Sequence, residues 1–269
     1  MAKTKLNIIP VLTFGRLGVN YAERETGVFE KEDIIVPEDT EQQVIQYKDG
    51  DCETTVTVGK NSRLKLVQIL AGKQQCNAVL KTSLADSSQL ELVQLYIGGD
   101  TVSEIVTDMN GSKAGFTADI GYDLGSGDDL DVNLSAIHRG RKSTSEIAVS
   151  GVLRGSAQKT FKGTIDFKQG ASGSTGNEKE DVVLMNSEVS NKTVPVILCA
   201  EEDVVGNHGA TIGRIDERHV FYMKSRGISE EKIYEMMTRS KLTRIIRKIG
   251  DEQAEKRVYS QLGWGDDIE

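Results

Sequence analysis

Residues 63–72, RLKLVQILAG, return as QLELVQLYIGG at residues 89–99, so the core Leu-x-Leu-Val-Gln recurs from Leu64 to Leu90. Self-similar segments of this kind predict a repetitive architecture. Short segments with alternating apolar and polar residues continue the pattern and predict further strands. These segments are DLDVNLSAI (129–137), SEIAVSGV (145–152), GTIDFKQG (163–170), DVVLMNSEV (181–189) and TVPVILC (193–199).

Two arrangements fit such strands, a sandwich of hairpins or a coil of stacked parallel rungs. Tight hairpins leave Asn-Gly or Asp-Gly turns, and only Asn110-Gly111 and the Asp-Gly of KDGD (48–51) occur. The sequence therefore favours a parallel β-helix, with Leu64 and Leu66 in one rung and their repeats in the next. The polar run KQGASGSTGNEKED (168–181) is predicted to be a solvated turn.

Composition excludes several classes of protein. The 269 residues are 38% hydrophobic and 28% charged, so the chain has enough apolar residues for a core. A net charge of −8 argues against nucleic acid as a partner, and the apolar runs fall short of the ~20 residues of a membrane helix. Three widely spaced cysteines predict neither a disulfide framework nor a zinc knuckle, so we expect a reducing, cytoplasmic location.

Beyond Gly213 the apolar residues change to helical spacing. Asp216 and Ser229 are predicted to cap two helices, Gly227 ends the first, and Gly250 with Asp251 separates the second from a third. The predicted organisation is an unassigned N-terminal segment (1–52), a β-helix core (53–213) and a helical region (214–269). Met and Ile residues along the helices predict a surface for a protein partner.

His208 is the histidine with the most distinctive setting, because Gly206 and Gly209 flank it where the strands give way to helices. A lone histidine is nevertheless more often structural than a ligand, and His138 and His219 have no comparable setting. The acidic stretches GSGDDLD (125–131) and EED (201–203) are interpreted as turns rather than cation sites. P-loop, G-x-S-x-G and H-E-x-x-H motifs are absent, so neither nucleotide binding nor hydrolase chemistry is indicated.

The segment GNHGATIGRIDERHVFYMKSRGIS (206–229) closely resembles the C-terminal signature of the SufB and SufD scaffold proteins of the SUF iron–sulfur cluster assembly system. DVVLMNSEVSNKTVPVILCAEEDV (181–204) resembles the family segment that precedes it. The resemblance implies a right-handed parallel β-helix followed by a helical region that docks on an ABC-type ATPase, SufC. It also implies pairing with a like chain or a SufB/SufD paralogue through the C-terminal end of the β-helix, where transient iron–sulfur clusters form.

Site residues follow from the same resemblance. The family histidine maps onto His208 and a family glutamate onto Glu252, and Cys199 is the cysteine nearest the signature. A family cysteine maps onto Met223, whose thioether is a poor substitute for a thiolate. The residues expected to bind the ATPase are Phe221, Tyr222, Met223, Arg226, Ile233, Met236 and Met237.

The expected function is thus a non-enzymatic scaffold subunit for cluster assembly, with ATP hydrolysed by the partner and no nucleotide bound by this chain. One alternative is a structural subunit, like SufD, that works beside a cysteine-bearing SufB paralogue. A more remote alternative is a β-helix enzyme acting on polysaccharide.

Overall fold

The computed structural model describes residues 3–12, 15–72 and 74–264, and it is dominated by two parallel sheets of seven strands each. One sheet contains β4 (Glu41–Lys48), β6 (Arg63–Ala71), β8 (Gln89–Ile97), β10 (Gly115–Leu124), β12 (Thr144–Leu153), β14 (Ser174–Leu184) and β16 (Val204–Arg214). The other contains β3 (Glu30–Val36), β5 (Cys52–Val58), β7 (Gln75–Leu84), β9 (Asp100–Met109), β11 (Asp129–His138), β13 (Gln158–Phe167) and β15 (Ser190–Cys199). The chain alternates between the sheets and so builds a solenoid with a lumen between them.

The remaining elements lie at the two ends of the chain. An antiparallel pair, β1 (Lys3–Leu6) and β2 (Ala22–Glu25), and a 3-10 turn (Gly15–Leu17) precede the solenoid. Three helices follow it, α1 (Glu217–Ser225), α2 (Glu230–Ile246) and α3 (Glu252–Gln261). None of the helices in the described residues is long and apolar enough to cross a membrane.

The repeat that suggested the solenoid forms neighbouring rungs. Leu64 is in register with Leu90 and Leu66 with Leu92, which confirms the parallel arrangement and eliminates the hairpin sandwich. The solenoid begins earlier than residue 53, because β3 pairs with β5 and β4 with β6. Their many charged and polar residues concealed the alternation of these first strands from sequence analysis.

The glutamine of the repeat faces the lumen and forms a ladder of amide hydrogen bonds. The Gln94 amide donates to Gln68 Oε1 (2.8 Å), and the Gln68 amide donates to Gln46 Oε1 (2.7 Å). The Tyr96 hydroxyl ends the ladder by donating to Gln94 Oε1 (2.7 Å), and it also lies 2.7 Å from Ser103 Oγ. Stacked identical amides satisfy one another, which permits a buried polar column inside an apolar core.

Residues of β6 and β8 that point away from the lumen are also buried, because the C-terminal helices cover that sheet. Val67 and Val93 pack with Leu242 and Ile245 of α2 and with Val258 of α3. Burial on both faces explains why the repeat is an almost continuous apolar run. Two ion pairs at the rim of this contact fix α2 to the sheet, Lys248 to Asp119 and Lys241 to Asp181, each at 2.6 Å.

The N-terminal segment covers part of the outer face of the opposite sheet, over β9, β11 and β13. The Asn7 side chain donates to Asp131 Oδ1 (2.6 Å), and Lys162 reaches both Asp131 (2.7 Å) and the Asn7 carbonyl (3.1 Å). Ile9 is buried beside them. The described part of residues 1–52 therefore comprises this N-terminal strap, defined as residues 3–12 and 15–25, and the first strands of the solenoid.

The helix boundaries agree with the sequence analysis. The side chains of Asp216, Ser229 and Asp251 cap α1, α2 and α3, each accepting a hydrogen bond from a backbone N–H of the first turn. Gly227 and Gly250 adopt the left-handed conformation after α1 and α2. The predicted solvated turn at 168–181 is partly wrong, since Ser174–Leu184 is strand β14.

Docking of α2 makes a matched pair of substitutions informative. Leu242 is 1% exposed and packs on the sheet, whereas Met236 of the same helix is 47% exposed. We expect Leu242→Ala to lower the free energy of unfolding by about 2–5 kcal/mol, because it leaves a cavity. Met236→Ala should change it by less than about 0.5 kcal/mol. Chemical denaturation measures both, and equal effects would contradict the docked position of α2.

His138 predicts a pH-dependent contribution to stability. The ring is fully buried, with its nitrogens 2.8 Å from Ser143 Oγ and 2.9 Å from Ser145 Oγ, and burial lowers its pKa from 6.5 to about 4. The unfolded chain therefore binds the proton first as pH falls, so this contribution is complete above pH 6.5 and is lost towards pH 4. The loss is on the order of 3 kcal/mol.

Comparison with His138→Gln isolates this group from the others that titrate. The difference in unfolding free energy between the two proteins should shrink on going from pH 7 to pH 4. A difference independent of pH would show that His138 is not held neutral.

Candidate functional site at the open end of the solenoid

The last rung of the solenoid, formed by β15 and β16, leaves the lumen open. Each strand pairs on one side only, β15 with β13 and β16 with β14, among the described residues. The side chains of β16 are exposed or half-buried along its whole length. Unpaired backbone groups and an accessible lumen make this end a surface that is suited to another chain.

His208 points into this open lumen. Its strand neighbour in register is Glu178 of β14. Gly206, two residues earlier and on the same side of the strand, faces Phe167 and Ile197 inside the lumen, whereas Asn207 points outward and bonds Asn177 (2.9 Å). Strand alternation therefore places the exposed His208 side chain over the lumen, directly above Glu178.

Glu178 is an acid buried within the mouth of the lumen. It is 5% exposed and has no hydrogen bond or ion pair within the described residues. Burial, reinforced by the neighbouring Glu180, raises its pKa to about 7. The carboxylate occupies space left by Gly163 of β13, because a Cβ there would lie 2.1 Å from Glu178 Oε2.

A buried ion pair beside Glu178 includes Lys159, the nearest cationic side chain in the lumen. Lys159 binds Glu180 Oε1, and Thr193 donates to Glu180 Oε2 (2.6 Å). The Tyr122 hydroxyl is 3.5 Å from the same carboxylate. Burial lowers the pKa of Lys159 and raises that of Tyr122. Lys159 also lowers the pKa of Glu178, but burial and the charge of Glu180 outweigh it. Within the described residues, Glu178 is the acid of this cluster that makes no hydrogen bond or ion pair.

Sequence analysis missed Glu178 and Glu180, because it assigned their polar segment to a turn. The lumen-facing positions of β14 near its start are Gly176, Glu178 and Glu180, which carry no apolar pattern. Their register with Ser145, Ile147 and Val149 of β12 was the available signal, since those residues alternate clearly.

Cys199 and Glu252 do not join His208 within one chain. Gly206 faces Ile197, so Cys199 lies towards the turn into β16 while His208 lies in the other direction, about 13 Å away along the strands. The Cys199 thiol is exposed and donates to the Glu201 carbonyl (3.0 Å). Glu201–Asp203 form an exposed turn, as predicted.

Glu252 begins α3 near the opposite end of the solenoid. The preceding Ile249 carbonyl accepts a bond from Gln43 of β4, and Glu252 itself is exposed and pairs with Lys256. Six strand spacings separate β4 from β16, about 29 Å. In the described residues, no group of three or more His, Cys, Asp or Glu side chains is arranged to hold a metal ion.

The predicted partner-binding residues divide into an exposed and a buried set. Phe221, Tyr222 and Met236 are 75%, 56% and 47% exposed, and the exposed Arg226 stacks on Tyr222. Met223 is half-buried in α1.

Two residues of the set have a different role. Ile233 is fully buried, and Met237 packs on Val152, Val183 and Met185 of the solenoid. The buried Ile233 and the half-buried Met237 therefore contribute to packing within the chain, and their contact with a partner stays a prediction. Helical periodicity cannot distinguish the side of a helix that meets its own domain from the side left to a partner.

A groove of about 690 Å³ lies between α1, the start of α2 and the end of β14. Its apolar lining includes Met185, Ile215, Val220, Phe221 and Tyr234. Together with the exposed aromatic residues of α1, this groove forms the main apolar surface of the helical region.

Comparison with known proteins gives a consistent family assignment. The sequence profile described as "SUF system FeS cluster assembly, SufBD core domain" matches residues 19–241. The chain is 28% identical to the iron–sulfur cluster assembly protein SufD of Bacillus subtilis over 166 residues, which cover 61% of this chain and 38% of that protein. It is 25% identical to SufB of the same organism over 228 residues, 78% of this chain and 48% of that protein.

A SufBD family protein of Mycobacterium leprae is 28% identical over 130 residues, 48% of this chain and 15% of that protein. The chain thus spans less than half the length of these curated relatives.

The fit between Gly163 and Glu178 is testable by a double-mutant cycle. Gly163→Ala should destabilise the protein by about 1–3 kcal/mol, because the methyl group collides with the buried carboxylate. In a Glu178→Ala background the same change should cost much less. Gly209→Ala, where a Cβ meets nothing within 4 Å, is the matched control. Thermal unfolding of the set measures the coupling, and purely additive effects would contradict the contact.

Proposed function

The chain belongs to the SufBD core family of the SUF iron–sulfur cluster assembly system, and on this premise we propose that it is a scaffold subunit that builds clusters at the open end of its solenoid. The observation that carries the proposal is the position of His208, exposed at an unpaired edge and directed over the lumen. Imidazole is a suitable ligand for iron, and an edge of unpaired strands allows a second chain to approach it closely.

The partner at this end is proposed to be a second copy or a SufB/SufD paralogue. Parallel strands of one chain offer unpaired N–H and C=O groups that strands of another chain satisfy by extending the sheets. Such pairing brings ligands of two chains to one junction, so that iron and sulfide are held as cargo between them. A ligand set rich in nitrogen and oxygen holds the cluster less firmly than four thiolates, which suits a protein that must release its product.

The second candidate is a structural subunit that works beside a cysteine-bearing paralogue. Two observations favour it: Cys199 lies away from His208, and the position of the family cysteine is occupied by the thioether of Met223. Cys52 and Cys76 are buried in the solenoid. In this case the partner supplies the thiolates and this chain supplies His208.

We propose that an ABC-type ATPase binds the exposed side of α1 and α2. Aromatic residues and methionine beside an apolar groove are the groups that dominate protein interfaces. The Lys241–Asp181 and Lys248–Asp119 ion pairs tie α2 to β14 and β10, so a pull on the helices acts on the strands that lead to His208. ATP-driven approach of two ATPase subunits would then shear the junction and open it to iron and sulfide.

Iron and acid-labile sulfide in the complex test the scaffold proposal. The protein is co-expressed with its ATPase and purified without oxygen. We expect both elements in roughly equal amounts, and a large loss of both from His208→Ala with the complex intact. A stable complex without either element would favour the structural subunit. Unchanged cluster content in His208→Ala would contradict a role for this residue.

ATPase binding tests the helical surface. Phe221→Ala should weaken binding by about tenfold or more, because an exposed aromatic residue at the groove is a typical interface anchor. Met236→Ala should weaken it less, and Ser240→Ala, an exposed position on α2, should leave it unchanged. Titration by surface plasmon resonance measures all three, and unaltered affinity of Phe221→Ala would place the docking surface elsewhere.

A further inference from the structure

Glu178 combines three properties that are rarely found together in a structural residue. Glu178 is 5% exposed as a residue, its carboxylate makes no hydrogen bond or ion pair among the described residues, and it lies in the mouth of an open lumen. A buried carboxylate normally has a cation or several donors beside it, because its desolvation is costly. Glu178 meets this cost in part by holding a proton, since burial raises its pKa to about 7, and a bound cation would take the place of that proton.

The chain itself offsets the charge of Glu178 only in part, because Lys159 lowers the pKa of Glu178 by less than burial and Glu180 raise it. Lys159, the nearest cationic side chain in the lumen, is bound by Glu180, which also accepts from Thr193. Glu178 faces Gly163 across the lumen, where a larger residue would occupy the space of the carboxylate. The adjacent wall thus keeps Glu178 in place without neutralising it.

His208 is the group that shares the mouth with Glu178. The two residues are in register on neighbouring strands and on the same side of the sheet, so their Cβ atoms are about 4.8 Å apart. An imidazole nitrogen and a carboxylate oxygen at this separation can both reach one metal ion between them. The imidazole is exposed to solvent, and the carboxylate lies behind it, so an ion from solution reaches His208 first.

We propose that Glu178 and His208 form a binding site for a divalent transition-metal ion, with ferrous iron as its cargo. The inference rests on the proposed function, which it deepens by naming a carboxylate that acts with His208 in place of Glu252. Imidazole with carboxylate is a ligand combination that suits Fe²⁺, and the ion would replace the proton that Glu178 otherwise holds. Water or a partner chain at the open end completes the coordination.

Co²⁺ binding to the isolated, full chain tests the site independently of cluster assembly. Coordination by histidine changes the visible absorption of Co²⁺, so a titration followed by absorbance gives the affinity directly. We expect binding by the unmodified protein, and a loss of affinity of about tenfold or more in both Glu178→Gln and His208→Ala. Glu178→Gln is close in shape and removes no hydrogen bond, and circular dichroism with thermal unfolding verifies that each variant is folded.

Glu188→Gln is the matched control, since this exposed acid precedes β15 at the same end of the solenoid. It removes the same charge and should leave the affinity for Co²⁺ unchanged. An equal loss in Glu188→Gln would mean general attraction by the acidic surface and would overturn the site.

Two further outcomes would also overturn it, namely Co²⁺ affinity within twofold of the unmodified protein in Glu178→Gln, and no binding by the unmodified protein. The iron and sulfide content of the ATPase complex is a separate measurement. A normal content with no Co²⁺ site would reject the metal site alone, and a Co²⁺ site without cluster content would reject the scaffold function alone.

Discussion

The in-register stacking of parallel strands is the constraint on which the rest of the structure depends. Each lumen position continues as a column from rung to rung, and every member must be compatible with the one above and below. The column of Gln46, Gln68 and Gln94 meets this condition by pairing amides, and the column of Leu66 and Leu92 by stacking methyl groups. The same column that carries Leu66 and Leu92 reaches Glu178 and then His208 at the open end. Apolar stacking thus gives way to ionisable groups where no further rung covers them.

The outer faces of the two sheets are closed by different parts of the chain. Helices α2 and α3 cover one sheet with an apolar contact centred on Val67 and Val93. The N-terminal strap covers the other with a more polar contact centred on Asp131 and Lys162. Each outer face is thus covered only in part, and the open end of the solenoid and the outer surface of α1 remain accessible to other molecules.

Much of this arrangement was predictable from the residues. The repeat of Leu-x-Leu-Val-Gln specified parallel rungs, and Asp216, Ser229 and Asp251 specified the three helix starts, because each depends on local chemistry. The first strands, β3 and β4, were not predictable, since charged residues at an end rung obscure the alternation. The burial of Glu178 was not predictable either, because it depends on Gly163 from a strand of the other sheet. The separation of Glu252 from His208 depends on where α3 docks, and no local sequence pattern specifies that position.

The two segments that cover the solenoid contact it in the reverse of their order along the sequence. Asn7, near the beginning of the sequence, contacts Asp131 and Lys162 of β11 and β13, whereas Ile249, near the end, contacts Gln43 of β4. During synthesis Asn7 therefore has no docking surface until β11 and β13 have emerged, and the first rungs remain uncovered until the helices arrive. Rungs can form successively from local pairing, but both coverings require closure of long loops and so belong to the last stage of folding. The rungs of the solenoid thus form before the coverings of its outer faces.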